Sequence, residues 1–232
     1  MENFGNTLKE VAINEIKEVA AKTGEAFKEI KPAIEKTLDE IADSWDNLFD
    51  ELSKDTSEFY TSYKERLDQT PKEGERGEWI GERGEGKFIP DLDLSRNEEL
   101  AEKMKECNID GIEYKNCEPD FSECAEATVK IDNMTENRYD YRDENGDMQD
   151  GNFTQADKKL AEQFNTENRD GKDNWTEKDV EKYRKENKLT WHERCDTEAM
   201  DLVPTEIHSF FDHSGGVAEC KARDSVGGEF DE

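Results

Sequence analysis

The chain has 232 residues, 61 acidic against 32 basic, and a formal net charge of −29. Such a charge excludes broad, non-specific affinity for nucleic acid, which rests on Lys and Arg neutralising phosphates. At 32% hydrophobic residues the chain has no apolar run of membrane-spanning length, while 9% aromatic residues argue against full disorder.

Residues 1–70 read as helix. Apolar residues recur at Leu8, Ala12, Ile16, Val19, Phe27, Ile30, Ile34, Leu38, Ile41, Trp45, Leu48 and Leu52, mostly in steps of three and four. This is the stripe of an amphipathic helix. Gly24 and Pro32 break or kink it. One stripe cannot bury itself, so the region reads as a packing or spacer element. Its start, MENFGNTLKE, is acidic and lacks a secretory signal pattern.

Residues 71–87, PKEGERGEWIGERGEGK, hold five glycines without apolar periodicity and read as a linker. The second unit, 88–232, opens on FIPDLD. NEELAEKMKEC (97–107) reads as a short helix and ATVKI (127–131) as a strand. YDYRDENGDMQDGN (139–152) is an acidic loop with turn signals at Asn145-Gly146 and Asp150-Gly151. Its spacing of oxygen ligands does not meet that of a calcium loop. FTQADKKLAEQF (153–164) and TEKDVEKYRKEN (176–187) read as helices, the second capped by Thr176 with Asp179 completing a capping box. The five cysteines, Cys107, Cys117, Cys124, Cys195 and Cys220, contain no CxxC pair. They read as free thiols, with one or two bridges among the first three as the alternative.

All three histidines, His192, His208 and His213, fall within 22 residues. KLTWHER and DTEAMDLVP read as two strands joined tightly around Cys195–Glu198. TEIHSFFDH reads as a helix with Thr205 as N-cap, terminated by Gly215-Gly216. The product is a ββα unit over 188–216. Strand alternation puts His192 on the face opposite Trp191 and Glu193. On an ideal helix His213 need not share the face of His208, but it converges if the chain unwinds at Ser214-Gly215-Gly216. The spacing His192-x2-Cys195-x12-His208-x4-His213 coincides with that of a zinc finger with His in place of the first Cys. Two arrangements stay open: a closed four-ligand zinc site, or an open site with two or three ligands and one histidine left as general base.

TWHE followed by MDLVPTEIHSFFDHSGG resembles the HNH/endonuclease VII superfamily. It is similar in particular to toxin nucleases with a Trp-His-His or Trp-His-Glu signature, in which MQLVP, an IH or LH on the helix, and HTGG follow. Asp201 stands where Gln is usual, Ser214 where Thr is usual, and Glu193 in place of the second His. The resemblance extends over residues 80–223, through GERGEGKFIPD, PDFSECAEATVKIDNMTENR and NFTQADKKLA. Residues 1–70 resemble the helical pre-toxin or adaptor portion that precedes such domains.

The resemblance implies an α+β fold, mostly helical, with a C-terminal ββα-metal (His-Me finger) unit and an N-terminal amphipathic helical region. It implies a metal-dependent DNA endonuclease used in interbacterial competition. Such a toxin is delivered to the target-cell cytoplasm by a larger carrier or secretion-system components and neutralised by a cognate immunity protein. His192 is the expected base, and Glu193 a ligand or the group orienting it. His208 and His213 hold one divalent ion, Mg, Zn, Mn or Ni. Arg83, Arg138, Arg194 and Lys221 are the expected substrate contacts, with Lys182, Arg184, Lys185, Lys188 and Arg223 as further cations. The competing expectations are a non-enzymatic zinc-stabilised module, an RNase toxin, and a nuclease built on Glu219-Cys220-Lys221 with Asp120 or Asp91.

Overall fold

The computed structural model describes residues 59–92 and 97–227, so the expected helical stripe over residues 8–52 lies outside the described residues. The chain divides into Met1–Ser57 and Glu58–Glu232, and the fold below is that of the second unit. That unit is α+β.

The first element among the described residues is helix α1 (Tyr63–Asp68), started by a Ser62/Glu65 capping box. Strands β1 (Gly77–Ile80) and β2 (Lys87–Pro90) form an antiparallel hairpin, and β2 pairs on to β3 (Ile112–Lys115), which pairs with β4 (Glu118–Pro119). Helix α2 (Glu98–Glu106) lies between β2 and β3 in sequence. Strand β5 (Ala127–Lys130) then pairs with β9 (Ala199–Pro204), which pairs with β8 (Leu189–Glu193), giving the sheet order β5-β9-β8. Between β5 and β8 come a small hairpin, β6 (Tyr141–Arg142) and β7 (Met148–Gln149), and helices α3 (Asn152–Glu167) and α4 (Glu177–Glu186). Helices α5 (Thr205–Phe210) and α6 (Gly216–Gly227) close the unit.

The expected linker over 71–87 is corrected: β1 and the turn into β2 occupy it. Its glycines serve close backbone packing rather than flexibility. A Cβ at Gly77 would fall on the carbonyl oxygen of Ile89, and one at Gly86 on that of Ile80. Only glycine lets the two strands meet there. The residues just before α1 are tied to α6. The buried Glu219 carboxylate on α6 accepts the amide N–H of Tyr60 at 2.6 Å and of Thr61 at 3.0 Å, and the Thr61 hydroxyl. Glu219 is therefore a structural anchor, which removes it from the Glu-x-Lys nuclease reading.

The sheet β5-β9-β8 separates two cores. On one side Trp191, Met200 and Leu202 pack against Phe153, Leu160 and Phe164 of α3 and Val180 of α4. On the other, Val203, Ile207 and Phe211 pack against Phe88, Ile112 and Phe121 and against Leu100 and Met104 of α2. The central strand β9 is buried throughout, as a strand covered on both faces must be. The α3 residues Phe153, Ala156, Asp157, Leu160, Ala161 and Phe164 are buried at helical spacing. Helix α4 carries the expected Thr176/Asp179 capping box, with Asp179 Oδ2 accepting the Thr176 N–H at 3.0 Å.

The acidic loop at 139–152 is the β6–β7 hairpin. Asp143 accepts N–H groups from Asn145, Asp147 and the Gln149 side chain, so its carboxylate organises the turn. All five cysteines are free thiols.

Candidate metal centre

The ββα unit forms where the sequence places it, but its helix ends earlier than expected. Pro204, not Thr205, is the N-cap residue, and no side chain caps the end. Helix α5 stops at Phe210, and Phe211 turns extended (φ −87, ψ 91). Gly215-Gly216 does not terminate it. Gly216 instead opens α6, packed so tightly that a Cβ would meet Met134 Sδ and the Arg194 carbonyl.

This early stop resolves the phase of His213. Because the chain leaves the helix at Phe211, His213 is free of the helical repeat and turns back beside His208. The ring centroids of His208 and His213 lie 5.0 Å apart, those of His192 and His213 4.8 Å, and those of His192 and His208 5.5 Å. One ligand atom from each of the three lies within 4.8 Å of the others. His192, expected to stand apart as a base, thus joins the cluster.

The donor set suits a divalent ion. His192 is 1% exposed, and neither its Nδ1 nor its Nε2 has a hydrogen-bond partner. Two orphaned ring nitrogens at the centre of a histidine cluster call for a cation. His213 Nδ1 lies 2.7 Å from the Phe211 carbonyl, so Nδ1 carries the proton and Nε2 presents its lone pair. Burial lowers the pKa of all three rings. For His208 it falls to about 3, with His213 adding to the effect; for His192 burial again leads, followed by His213 and His208. The imidazoles are therefore neutral at pH 7, the form that ligates metal. Phe121, fully buried, lies beneath all three rings, with centroids 4.9 Å from His192 and 5.8 Å from each of the others.

Cys195 does not join. Its Sγ–H donates to the Ser214 carbonyl at 3.3 Å, and burial pushes the thiol pKa up. The closed four-ligand set suggested by the spacing is not the set that converges. Cys195→Ala is accordingly expected to leave metal stoichiometry and affinity within about twofold of wild type, which a metal titration of the purified variant measures. Loss of the bound ion in that variant would restore the zinc-finger arrangement.

Glu193 occupies the opposite face of β8 yet lines the same cleft, about 230 Å³ in volume, together with Arg138 and the three histidines. Its Oε2 accepts Arg138 Nε at 3.0 Å and its Oε1 accepts Asn152 Nδ2 at 3.0 Å. Burial raises its pKa against the pull of Arg138 and Asn152. Arg138, 48% exposed, reaches Glu193 through Nε and is one of the residues that line the cleft.

The other expected substrate contacts are placed elsewhere. Arg83 is corrected outright: its Nε donates to Thr70 Oγ1 and the Pro71 carbonyl, and its Nη2 to the carbonyls of Leu67 and Thr70 at 2.7 and 2.9 Å. It ties down the carbonyl of Leu67 in the last turn of α1 and those of Thr70 and Pro71 just beyond it. Arg194 is held by Asp201 at 2.6 and 3.1 Å. Lys221 is exposed on α6 and does not line the cleft. Arg184 is buried and paired with Asp157. Phe121 and Asn152 border the site and lie in the segments PDFSECAEATVKIDNMTENR and NFTQADKKLA that carry the resemblance, though no motif singles out either; Glu118 carries no motif that would mark it. Glu118 accepts the Cys195 N–H at 2.6 Å, and burial raises its pKa.

Residues 111–215, which contain all three histidines and Glu193, match the family described as the DNase/tRNase domain of colicin-like bacteriocin. The match supports a toxin nuclease domain, DNase or tRNase. No curated protein and no solved structure matches the chain.

Proposed function

We propose that this unit is a metal-dependent endonuclease that hydrolyses phosphodiester bonds of DNA. The observation that carries the reading is the convergence of His192, His208 and His213 inside the stretch that matches a nuclease toxin family. A divalent ion held by these three would act as a Lewis acid on the scissile phosphate and stabilise charge on the leaving 3′-oxygen.

The chain's own groups supply the rest. With His192 among the ligands, the base falls to Glu193, which shares the cleft and whose pKa burial has moved toward the working range. Asn152 and Arg138 each hold one of its oxygens, fixing where it accepts a proton from the attacking water. Arg138 also offers the cleft a guanidinium for a non-bridging phosphate oxygen. Phe121 keeps bulk water from beneath the histidines and favours neutral rings. The choice of DNA rests on the Trp-His-Glu resemblance. On that same ground the protein is an effector of interbacterial competition, carried to the target-cell cytoplasm and restrained in the producer by an immunity protein. No helix among the described residues is long and apolar enough to cross a membrane.

The test is conversion of supercoiled plasmid to nicked and linear forms with EDTA, magnesium, manganese, nickel or zinc, beside tRNA under the same conditions. Metal-dependent nicking with intact tRNA is expected. Cleavage of tRNA alone would transfer the reading to an RNase, and cleavage of neither would overturn it. Glu193→Gln at saturating metal is expected to slow nicking about 10²- to 10⁴-fold, with the ion bound as in wild type. An undiminished rate would move the base elsewhere.

A further inference from the structure

We propose that Glu118 is the positioning residue for His192, its carboxylate holding the imidazole nitrogen that does not face the cation. The inference rests on the three-histidine centre proposed above. A neutral imidazole has one N–H and one lone pair. If the lone pair serves the ion, the remaining N–H of this buried ring needs an acceptor, and metal-bound histidines regularly find one in a carboxylate. Glu118 Oε1 stands 3.9 Å from His192 Nε2, beyond a hydrogen bond but inside ion-pair distance. No other carboxylate among the described residues pairs with His192.

Glu118 is itself held firmly. It follows a two-residue turn in which Asn116 and Cys117 both have positive φ, 51 and 67, the geometry of a tight hairpin between β3 and β4. The turn is pinned from outside, with Arg66 Nε donating to the Asn116 carbonyl at 3.1 Å and Cys117 N–H to the Gly84 carbonyl at 2.9 Å. From there the Glu118 carboxylate crosses to the other sheet, where its Oε1 accepts the Cys195 N–H in the β8–β9 turn. One side chain thus links the β1–β4 sheet to the strand that carries His192. It also lines a second cleft of about 320 Å³, together with Lys115 and Arg194.

Cobalt(II) titration of the intact protein, followed by its visible d–d absorption, tests the role independently of nuclease activity. Glu118→Ala is expected to weaken cobalt binding about 10- to 100-fold while leaving the band shape at saturation unchanged. Glu118→Gln keeps an oxygen acceptor without the charge and is expected to weaken binding by roughly two- to tenfold. Should the alanine variant fail to fold, the glutamine variant decides. A lower melting temperature with wild-type cobalt affinity in the folded protein would reduce Glu118 to a structural contact and overturn the proposal. An altered band shape at saturation would make Glu118 a direct ligand and overturn it equally. Absence of cobalt binding by the wild-type protein would instead refute the three-histidine centre itself.

Discussion

His208→Ala is expected to lower affinity for a divalent ion by more than about 100-fold and to bring plasmid nicking to background. Even a group that only orients a ligand is worth 10- to 100-fold in affinity, and His208 supplies a ligand atom. The metal-free fold should survive the change. His208 is a partly buried ring whose charged form is disfavoured by burial, and the packing of α5 is carried by its neighbour Ile207 and by Phe211, both fully buried. Calorimetric metal titration and a plasmid assay read the two effects separately, and circular dichroism verifies the fold. A folded His208→Ala protein that binds the ion like wild type would remove His208 from the centre. One that loses the ion yet nicks at full rate would show the nuclease chemistry to lie elsewhere.

Asp157→Ala is expected to cost about 3–5 kcal/mol of folding stability, the usual effect of breaking a buried ion pair by removing one partner. Asp157 is 3% exposed on α3 and accepts three hydrogen bonds. Arg184 of α4 donates through Nε and Nη2, both at 2.8 Å, and Trp191 of β8 donates its indole N–H at 2.8 Å. Alanine would leave a guanidinium, 8% exposed as a residue, without its charge partner and the fully buried indole N–H without an acceptor. Against a typical total of 5–15 kcal/mol that is a large share. The midpoint of urea unfolding in metal-free buffer measures it. The double variant Asp157→Leu/Arg184→Met should recover much of the loss, because a well-packed apolar pair avoids the desolvation of both charges. An Asp157→Ala midpoint equal to wild type would show the network to be without energetic weight.

This network also explains the tryptophan beside His192. Trp191 sits in the core against α3, with its N–H bound to Asp157, while the next residue faces the histidine cluster across the strand. The alternation of one strand therefore joins a packing residue to a candidate ligand, and Asp157 and Arg184 hold the strand that carries both.

Elements governed by local rules were legible in the sequence. The periods of α3 and α4, the capping box at Thr176, the strand at 127–130, the two strands of the ββα unit and the opposite facing of Trp191 and His192 all follow from residues within a few positions of one another. The clustering of three histidines in 22 residues likewise marked where three rings come together. Glycine content misled at 71–87, because glycine serves equally where a chain must bend freely and where two backbones must touch, and composition does not separate these uses.

What the tertiary structure alone decided was where the polar groups find their partners. His213 reaches its neighbours because Phe211 is buried on the second core and draws the chain out of the helix. Cys195, spaced as a zinc ligand, is turned to the Ser214 carbonyl. Arg83, expected as a substrate contact, and Arg184, expected as a further cation, are instead engaged within the protein, one with backbone carbonyls at and beyond the end of α1 and the other with a buried aspartate. These partners lie outside the element that carries each group: 12 to 16 residues away for Arg83, 19 for Cys195 and 27 for Arg184. Local pattern fixes which backbone forms, whereas the partner of a buried charge is set only when the elements close on one another and leave it no water to bind.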